Sequence, residues 1–194
     1  MTEIDSGAIR KVFVVIKFNI SVSPTFEDVV KAVKTIETEV LNDLTEFWEK
    51  YARKVVVQEI ATIFATEGRG TWPNLSPEYA KWKARAYPGK TILRRTDMYF
   101  RASTRKGAKG NLYEVDKDSM TWGVEPEVFE SITGAPYPEY LERGVMGMGK
   151  RKGLFAIPAR PVYYLASMSQ ILQNNLVVAL KTYLERNVRR VMKG

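Results

Sequence analysis

Hydrophobic and polar side chains alternate near the N-terminus, over residues 9–22. The apolar members of this run lie on one side of an extended chain, namely Val12, Val14, Ile16, Phe18, Ile20 and Val22. Successive side chains of a strand point to opposite faces, so the alternation predicts a β-strand with one buried face. Pro24 cannot continue its hydrogen bonding, and the strand is therefore assigned within residues 1–25.

A helical spacing of apolar residues replaces this alternation from Phe26 onwards. Apolar side chains recur there mostly every three or four residues through Ala65, and neither Pro nor Gly interrupts the run before Gly68. The pattern predicts a long helix over residues 26–66. A straight helix of that length would extend roughly 60 Å. It must therefore either project from the domain or break near Asn42, and we favour the break.

Helix-start signals recur beyond the long helix. Ser76 is followed directly by a proline, which is a strong signature of a helix N-terminus. Thr96 is placed to cap a short helix over residues 97–103, and another short helix is expected around Tyr140. These signals predict short helices within a region of loops.

Strand patterns and a last helix complete the chain. Residues 111–115 and 119–124 alternate as the two arms of a hairpin, and residues 154–157 resemble a brief strand. Ser167, with a Gln three residues later, predicts a capping box. It would begin a final amphipathic helix within residues 166–194.

Together these elements predict one domain of the α+β class over residues 1–194. Its sheet is expected to be mainly antiparallel. The sheet and the loops are assigned to residues 67–165, between the long N-terminal helix and the C-terminal helix.

Cysteine and histidine are both absent from the 194 residues. Their absence excludes a Cys/His zinc site, a disulfide framework, a Cys nucleophile and proton transfer by histidine. An enzyme would have to rely on carboxylates, Lys, Tyr, Ser or Thr. We interpret the glutamates at positions 125, 127, 130, 139 and 142 as solvated charges, and we predict no cofactor and no metal.

The net charge of +8 is distributed in blocks of opposite sign. Residues 81–110 carry ten Lys and Arg against one Asp, whereas residues 111–140 carry seven acids against one Lys. Such blocks suit a chain that pairs with copies of itself or with neighbouring proteins at least as well as one that binds DNA. No stretch of eighteen apolar residues and no apolar signal core occur, so we expect a soluble, unexported protein without membrane contact.

Two glycine-containing basic loops are candidate interface loops. The run from Gly144 to Arg151 matches G-x-x-x-x-G-K, but Arg151 occupies the place of the Ser or Thr that would hold Mg²⁺. Its flanks do not read as the strand and helix that a phosphate site requires. We expect residues 146–153 and residues 104–110 to be mobile loops that order against a neighbouring subunit. Their cations are Arg105, Lys106, Lys109, Lys150, Arg151 and Lys152.

The basic block 81–110 also offers an alternative function. Tyr87, Tyr99 and Phe100 are interleaved with its cations and could stack on bases while the cations contact phosphates. This alternative is a non-specific nucleic-acid-binding protein. A solvated face or an acidic protein partner is the favoured interpretation of the block.

A series of short motifs follows Phe64 along the chain. They are Trp72-Pro-Asn-Leu75-Ser76, Ile92-Leu93-Arg94-Arg95-Thr96-Asp97-Met98, Tyr137-Pro-Glu-Tyr140-Leu-Glu-Arg-Gly144 and Ile157-Pro158-Ala159-Arg160-Pro161-Val162-Tyr163. In this order the chain resembles the bacteriophage virion morphogenesis or tail completion proteins of Mu-like and P2-like phages, with distant kin among siphophage neck proteins. The family pattern has Gly where this chain has Asp97, and many relatives carry a His before the residue matching Gly144.

The resemblance implies a structural virion protein rather than an enzyme. Such a subunit would form a homo-oligomeric ring, expected to be a hexamer, at the phage neck or tail terminus. It would complete the tail and support head–tail joining. Its partners would be neighbouring neck and tail-tube proteins, with possible non-specific contact with DNA in the lumen. Its location would be the virion, and the host cytoplasm during assembly.

Arg160 is the most specific element of the matched motifs. Pro158 and Pro161 fix the backbone on either side of it, and its guanidinium predicts a bidentate pair with a carboxylate. Two alternatives are open: a pair within the chain that locks the final helix, or a contact between subunits. Trp72, Leu75 and Pro158 are expected in the core rather than at an interface.

Overall fold

The structure, a computed structural model, describes residues 26–145 and 157–192. The helices are α1 (Phe26–Thr35), α2 (Thr45–Phe47), α3 (Arg53–Ala65), α4 (Pro77–Ala86), α5 (Met98–Thr104), α6 (Pro126–Thr133), α7 (Tyr137–Arg143), α8 (Tyr163–Ser167) and α9 (Gln170–Val191). The strands are β1 (Asn111–Val115) and β2 (Met120–Val124), which form an antiparallel sheet. The predicted α+β class is confirmed. The strand predicted at residues 9–22 lies outside the described residues.

The long helix predicted over residues 26–66 is interrupted. Helix α1 continues as a π-helical segment, Ile36–Leu41, and helical structure stops at Asn42. It resumes at α2 and passes through a second π-helical segment, Trp48–Ala52, into α3. A single continuous helix is therefore wrong, and the favoured break near Asn42 is present.

Two hydrogen bonds explain the break. The Asp43 carboxylate accepts the Thr45 amide at 2.9 Å, and the Leu44 amide donates to the Lys117 carbonyl at 2.8 Å. Short Asp side chains compete in this way with the helical ladder. The second bond reaches the hairpin turn, so the break also ties the N-terminal helices to the sheet.

The hairpin lies where the sequence predicts it. Its register runs from Asn111 opposite Val124 to Val115 opposite Met120. The Trp122 indole N–H donates to the Ser103 carbonyl at 2.7 Å, which fastens the hairpin to α5. Among the described residues, the remaining β pairing is an isolated antiparallel bridge between Val145 and Ile157.

Residues 67–165 contain more helix than the sequence prediction, which assigned them to sheet and loops. Helices α6 and α8 begin without a Ser or Thr at the N-cap position. In neither helix does the N-cap side chain accept a hydrogen bond from the first turn. Pro126 opens α6 instead, since its fixed φ suits the first helical position. The sheet is correspondingly small in the part of the chain that the structure describes.

The observed helix caps correct two predictions. Ser76 caps α4 as expected, accepting the Tyr79 amide at 3.4 Å. The final helix is capped by Ser169, not by Ser167, because α8 ends at Ser167 and the Ser169 hydroxyl accepts the Leu172 amide at 3.2 Å. Thr96 lies one residue before the cap of α5, whose N-cap is Asp97.

Two hydrophobic clusters hold these elements together. The main cluster contains Ile60, Ile63, Phe64, Trp72, Ile92, Tyr99, Ala102, Phe129, Val162, Ala166 and Leu172. The second contains Val40, Phe47, Ala52 and Tyr183. Leu176 packs against both clusters, so α9 joins the N-terminal helices to the main core.

Candidate functional site

Several motif residues contact one another around Arg160 and Trp72, and we call this set of internal contacts the frame. This guanidinium is buried and donates to the Pro73 carbonyl through Nε at 3.1 Å and Nη2 at 2.9 Å. Nη2 also lies 3.3 Å from the Asn74 carbonyl. The predicted pair with a carboxylate is wrong, because the proline-flanked backbone aims the side chain at the loop before α4. The contact within the chain is the alternative that the structure contains.

Trp72 belongs to the same frame. Its side chain is buried against Phe64, and its indole N–H donates to the Pro161 carbonyl at 3.0 Å. Leu75 packs against the main cluster, while Pro158 and Pro161 are half-buried. Trp72 is buried, as expected of a core residue, whereas Leu75 and Pro158 are half-buried at the edge of the core.

Gly144 lets the end of α7 approach this frame. Its backbone has φ of 72°, a region that glycine adopts without strain. A Cβ at this position would lie 2.9 Å from the Ala159 amide nitrogen. The Tyr140 carbonyl accepts the Gly144 amide at 2.8 Å, and Tyr140 itself is half-buried. A larger residue would therefore push the end of α7 away from the segment that carries Arg160.

Glu142 is a structural residue that sequence reasoning missed. Its carboxylate accepts the Val162 amide at 2.7 Å and the Tyr163 amide at 3.1 Å, and so supplies the start of α8 with acceptors from another helix. It also accepts the Tyr99 hydroxyl at 3.1 Å. Burial, together with the Glu142 charge, raises the pKa of Tyr99 well above its ordinary value. The interpretation of Glu142 as a solvated charge is therefore wrong.

The turn before α5 contains the remaining motif residues. Leu93 and Asp97 have φ of 65° and 57°, so both adopt the left-handed conformation. Asp tolerates this conformation better than most residues, which explains how the chain accepts Asp97 where the resembled family has Gly. The Thr96 hydroxyl lies 3.5 Å from the Met98 amide, and Leu93 packs against the main cluster.

Asp97 forms ion pairs with two cations of the basic block. Its carboxylate binds Lys90, and the Arg94 Nε lies 2.9 Å from Oδ1. Burial opposes ionisation of Asp97, but hydrogen bonds from Arg94 and Lys90 prevail and lower its pKa. The single Asp97 carboxylate thus offsets one of the two positive charges and holds both cations in contacts within the chain.

The basic loop 104–110 is held by contacts within the chain. Lys106 binds the Glu49 carboxylate at 2.9 Å and lies 4.3 Å from the centre of the Tyr113 ring. The Asn111 side chain accepts the Gly107 amide at 3.1 Å. Arg105 and Lys109 are exposed. These contacts oppose the predicted mobility of this loop, whereas Lys150, Arg151 and Lys152 lie outside the described residues.

Residues 161–180, here called the uncharged segment, contain no Asp, Glu, Lys or Arg. They form α8 and the first half of α9. Large hydrophobic side chains of this segment are 51–68% exposed, namely Tyr164, Met168, Ile171, Val177 and Val178. Charged residues are normally depleted from the buried centre of an interface. The segment therefore combines exposed apolar side chains with an absence of charge.

A groove of about 740 Å³ runs beside the uncharged segment, between α3 and α9. Its walls are Val55, Gln58, Glu59 and Thr62 on one side and Ile171, Asn175, Val178 and Ala179 on the other. Arg69 reaches into it, where it binds the buried Glu59 and lies 3.3 Å from the Ser169 hydroxyl. The groove is thus lined by both apolar and polar side chains, and its two charged residues, Glu59 and Arg69, are paired with each other.

The described residues contain neither a metal-ligand cluster nor a membrane-spanning helix. No group of three or more carboxylates comes together among residues 26–145 and 157–192 in the manner of a metal site. No helix described there is long and apolar enough to cross a membrane. Comparison with family models, curated proteins and solved structures found no match.

Proposed function

We propose that this protein is a structural subunit that works by assembling with copies of itself, as a ring at a phage neck or tail terminus. The order of the motifs resembles tail completion proteins, and the motif residues with described contacts serve to hold the fold. In this role the ring, a hexamer, would complete the tail and support head–tail joining. Its neighbours would be neck and tail-tube proteins of the virion, after assembly in the host cytoplasm.

The observation that carries this proposal is the uncharged segment. A chain of net charge +8 repels its own copies, and burying charges at a contact costs free energy unless each is paired. Residues 161–180 form the longest run without charge in the sequence, and the structure exposes five large hydrophobic side chains of that run. A second copy is the occupant that such a face can meet without charge repulsion.

The groove beside the segment supplies shape for that contact. Ile171 and Val178 lie on one flank of α9 and line the groove with Val55 of α3. Asn175 lies between them and carries both a donor and an acceptor, so it can hydrogen-bond to a polar group on the facing surface of the next copy in the ring. Apolar side chains accompanied by a few hydrogen-bonding groups form the kind of centre that protein interfaces bury.

Purified full-length protein tests the proposal directly. We expect native mass spectrometry to give one discrete oligomer, negative-stain images to show a closed ring, and the ring to bind purified phage tails. A monomer at high concentration that does not bind tails would refute the proposed function.

Two neighbouring valines give a matched test of the face. Val178 lines the groove, whereas Val177 is about 100° away around the helix. Because burying an unpaired charge at an interface costs several kcal/mol, V178R should raise the dissociation constant of the oligomer by about 100-fold or more. V177R places the same charge on the other flank of the uncharged segment, and the variant with the larger effect identifies the flank that the second copy covers. If rings persist in both variants, the ring is assembled through another surface.

A further inference from the structure

Helix α4 exposes a cluster of aromatic rings outside the uncharged segment. Tyr79 and Trp82 are 39% and 45% exposed, and their ring centres lie 5.2 Å apart with planes 33° from parallel. The Tyr87 ring lies 5.7 Å from Trp82. We call these three residues the α4 aromatic cluster. Three adjacent rings with exposed surface provide faces on which other flat groups can stack.

Cations flank the α4 aromatic cluster. Lys81 and Arg85 are exposed and one turn apart on α4. Neither forms an ion pair with a carboxylate within the described ranges. Like charges four residues apart on a helix destabilise it. Binding of an anion beside the rings would relieve this repulsion.

Buried contacts anchor α4 and the loop before it, so the cluster is held in place. Lys83 is buried and donates to the Thr91 carbonyl. Arg160 binds the carbonyls of Pro73 and Asn74, immediately before the helix. A rigid platform loses little conformational entropy when a ligand binds.

We infer that the α4 aromatic cluster binds single-stranded nucleic acid, with bases stacked on Trp82 and its neighbours and phosphates paired with Lys81 and Arg85. Aromatic faces interleaved with cations are the arrangement that binds single strands without sequence preference. The bases of a duplex are already stacked on one another and present only their edges, so duplex DNA should bind less well. The inference does not depend on the proposed assembly function.

This site differs from the nucleic-acid surface that the sequence indicated. Tyr99 is 1% exposed, and Phe100 packs edge-on against Phe64 in the main cluster. Tyr99 therefore cannot stack on a base, and Arg94 lies over the Phe100 ring at 4.0 Å. Of the three aromatic residues first considered, Tyr87 is the one that belongs to the exposed cluster.

Fluorescence titration with oligothymidylate of about 20 nucleotides tests the inference. Trp82 is the most exposed of the four tryptophans, and stacking on it should quench the emission. W82A should weaken binding about 5- to 100-fold, measured by anisotropy of a labelled oligonucleotide, whereas W82F should retain most of the affinity. Equal binding by W82A and the wild type would overturn the inference.

Salt dependence gives a second measure. K81Q/R85Q removes two phosphate contacts and should reduce the slope of log K against log salt by about 1.4. K31Q/K34Q removes the same charge from two exposed lysines of α1 and should leave the slope unchanged. Equal slopes for the two double variants would contradict the assignment of these phosphate contacts.

Competition separates nucleic acid from other anions. Poly-glutamate and duplex DNA of the same length should each displace the labelled oligothymidylate poorly. Displacement by poly-glutamate as effective as by the oligonucleotide would instead identify an acidic protein partner and overturn the inference. Repeating the titration with V178R shows whether assembly is required. Loss of the ring with retained binding would leave this inference intact.

Discussion

Helix α4 and the first half of α9 both expose hydrophobic side chains, yet their chemistry differs. Around α4 the exposed rings are aromatic and cations accompany them. In the uncharged segment the exposed groups are mainly aliphatic, and no charge occurs over residues 161–180. A neutral aliphatic face suits burial against protein, whereas rings with cations suit a flat, anionic ligand. One small chain can therefore carry two surfaces that do not compete for the same partner.

The two surfaces are joined through Arg160. Arg160 belongs to the segment that directly precedes α8, and its side chain binds the loop that precedes α4. The α4 aromatic cluster and the uncharged segment are thus attached to one frame. Substitutions in the frame should affect both surfaces, whereas a substitution in one surface should affect that surface alone.

Replacing Arg160 should have the largest effect. R160A removes charge-assisted hydrogen bonds to Pro73 and Asn74, and we expect it to lower the free energy of unfolding by about 2–4 kcal/mol. Chemical denaturation would measure this loss. R160K keeps the charge but cannot contact the Pro73 carbonyl through two nitrogens, so its effect should be intermediate. Equal stability of R160A and the wild type would show that the frame does not depend on Arg160.

Asp97 should have a smaller effect that depends on pH. D97N removes the carboxylate and keeps a residue that tolerates the left-handed conformation, at an expected cost of about 1 kcal/mol near pH 7. The pKa of Asp97 is lowered in the folded protein. Its contribution is therefore present above the unfolded pKa of about 4 and disappears as pH falls through the folded pKa. Denaturation curves of the two proteins should converge on acidification.

The same variant sharpens the comparison of surfaces. D97N releases Lys90 and Arg94 from their carboxylate, so the net charge of the basic surface near α4 should rise by one. Binding of oligothymidylate should then strengthen and become more dependent on salt. Unchanged binding would place Lys90 and Arg94 too far from the α4 aromatic cluster to contribute.

Lys106 should have the smallest effect. Its pair with Glu49 is exposed, and exposed pairs contribute little to stability. K106Q should leave the melting temperature and oligothymidylate binding unchanged. The Lys106 hydrogen bond lowers the pKa of Glu49, so this pKa should rise towards its ordinary value in K106Q. An NMR titration of Glu49 would detect the rise, and an unchanged pKa would contradict the pair.

Local sequence patterns predicted the elements whose formation depends on residues close together in the chain. The hairpin follows from alternation on both sides of a short turn, and the start of α4 from Ser76 and Pro77. The break near Asn42 was favoured on length alone. One of its two causes, the bond from Leu44 to Lys117, spans residues far apart in sequence, which no local pattern can reveal.

Local sequence patterns do not reveal contacts between residues that lie far apart in the chain. Arg160 was expected to meet a carboxylate, because charge is visible in a sequence and free backbone carbonyls are not. Glu142 resembled its acidic neighbours, although it alone of them caps α8. The sequence shows residues 161–180 as a run without charge, but it does not show which side chains of that run are exposed. The buried positions of Leu172 and Tyr183 identify the inner side of α9 and therefore its exposed side.

The contact between Arg160 and the Pro73 carbonyl also has a consequence for biosynthesis. It joins residues 87 positions apart, so the α4 loop has no partner until most of the chain has been translated. Before then the rings of α4 and the apolar residues beneath them are available to chaperones on the ribosome. A stalled chain that ends before Arg160 should bind such chaperones, and one that extends past α9 should be released from them.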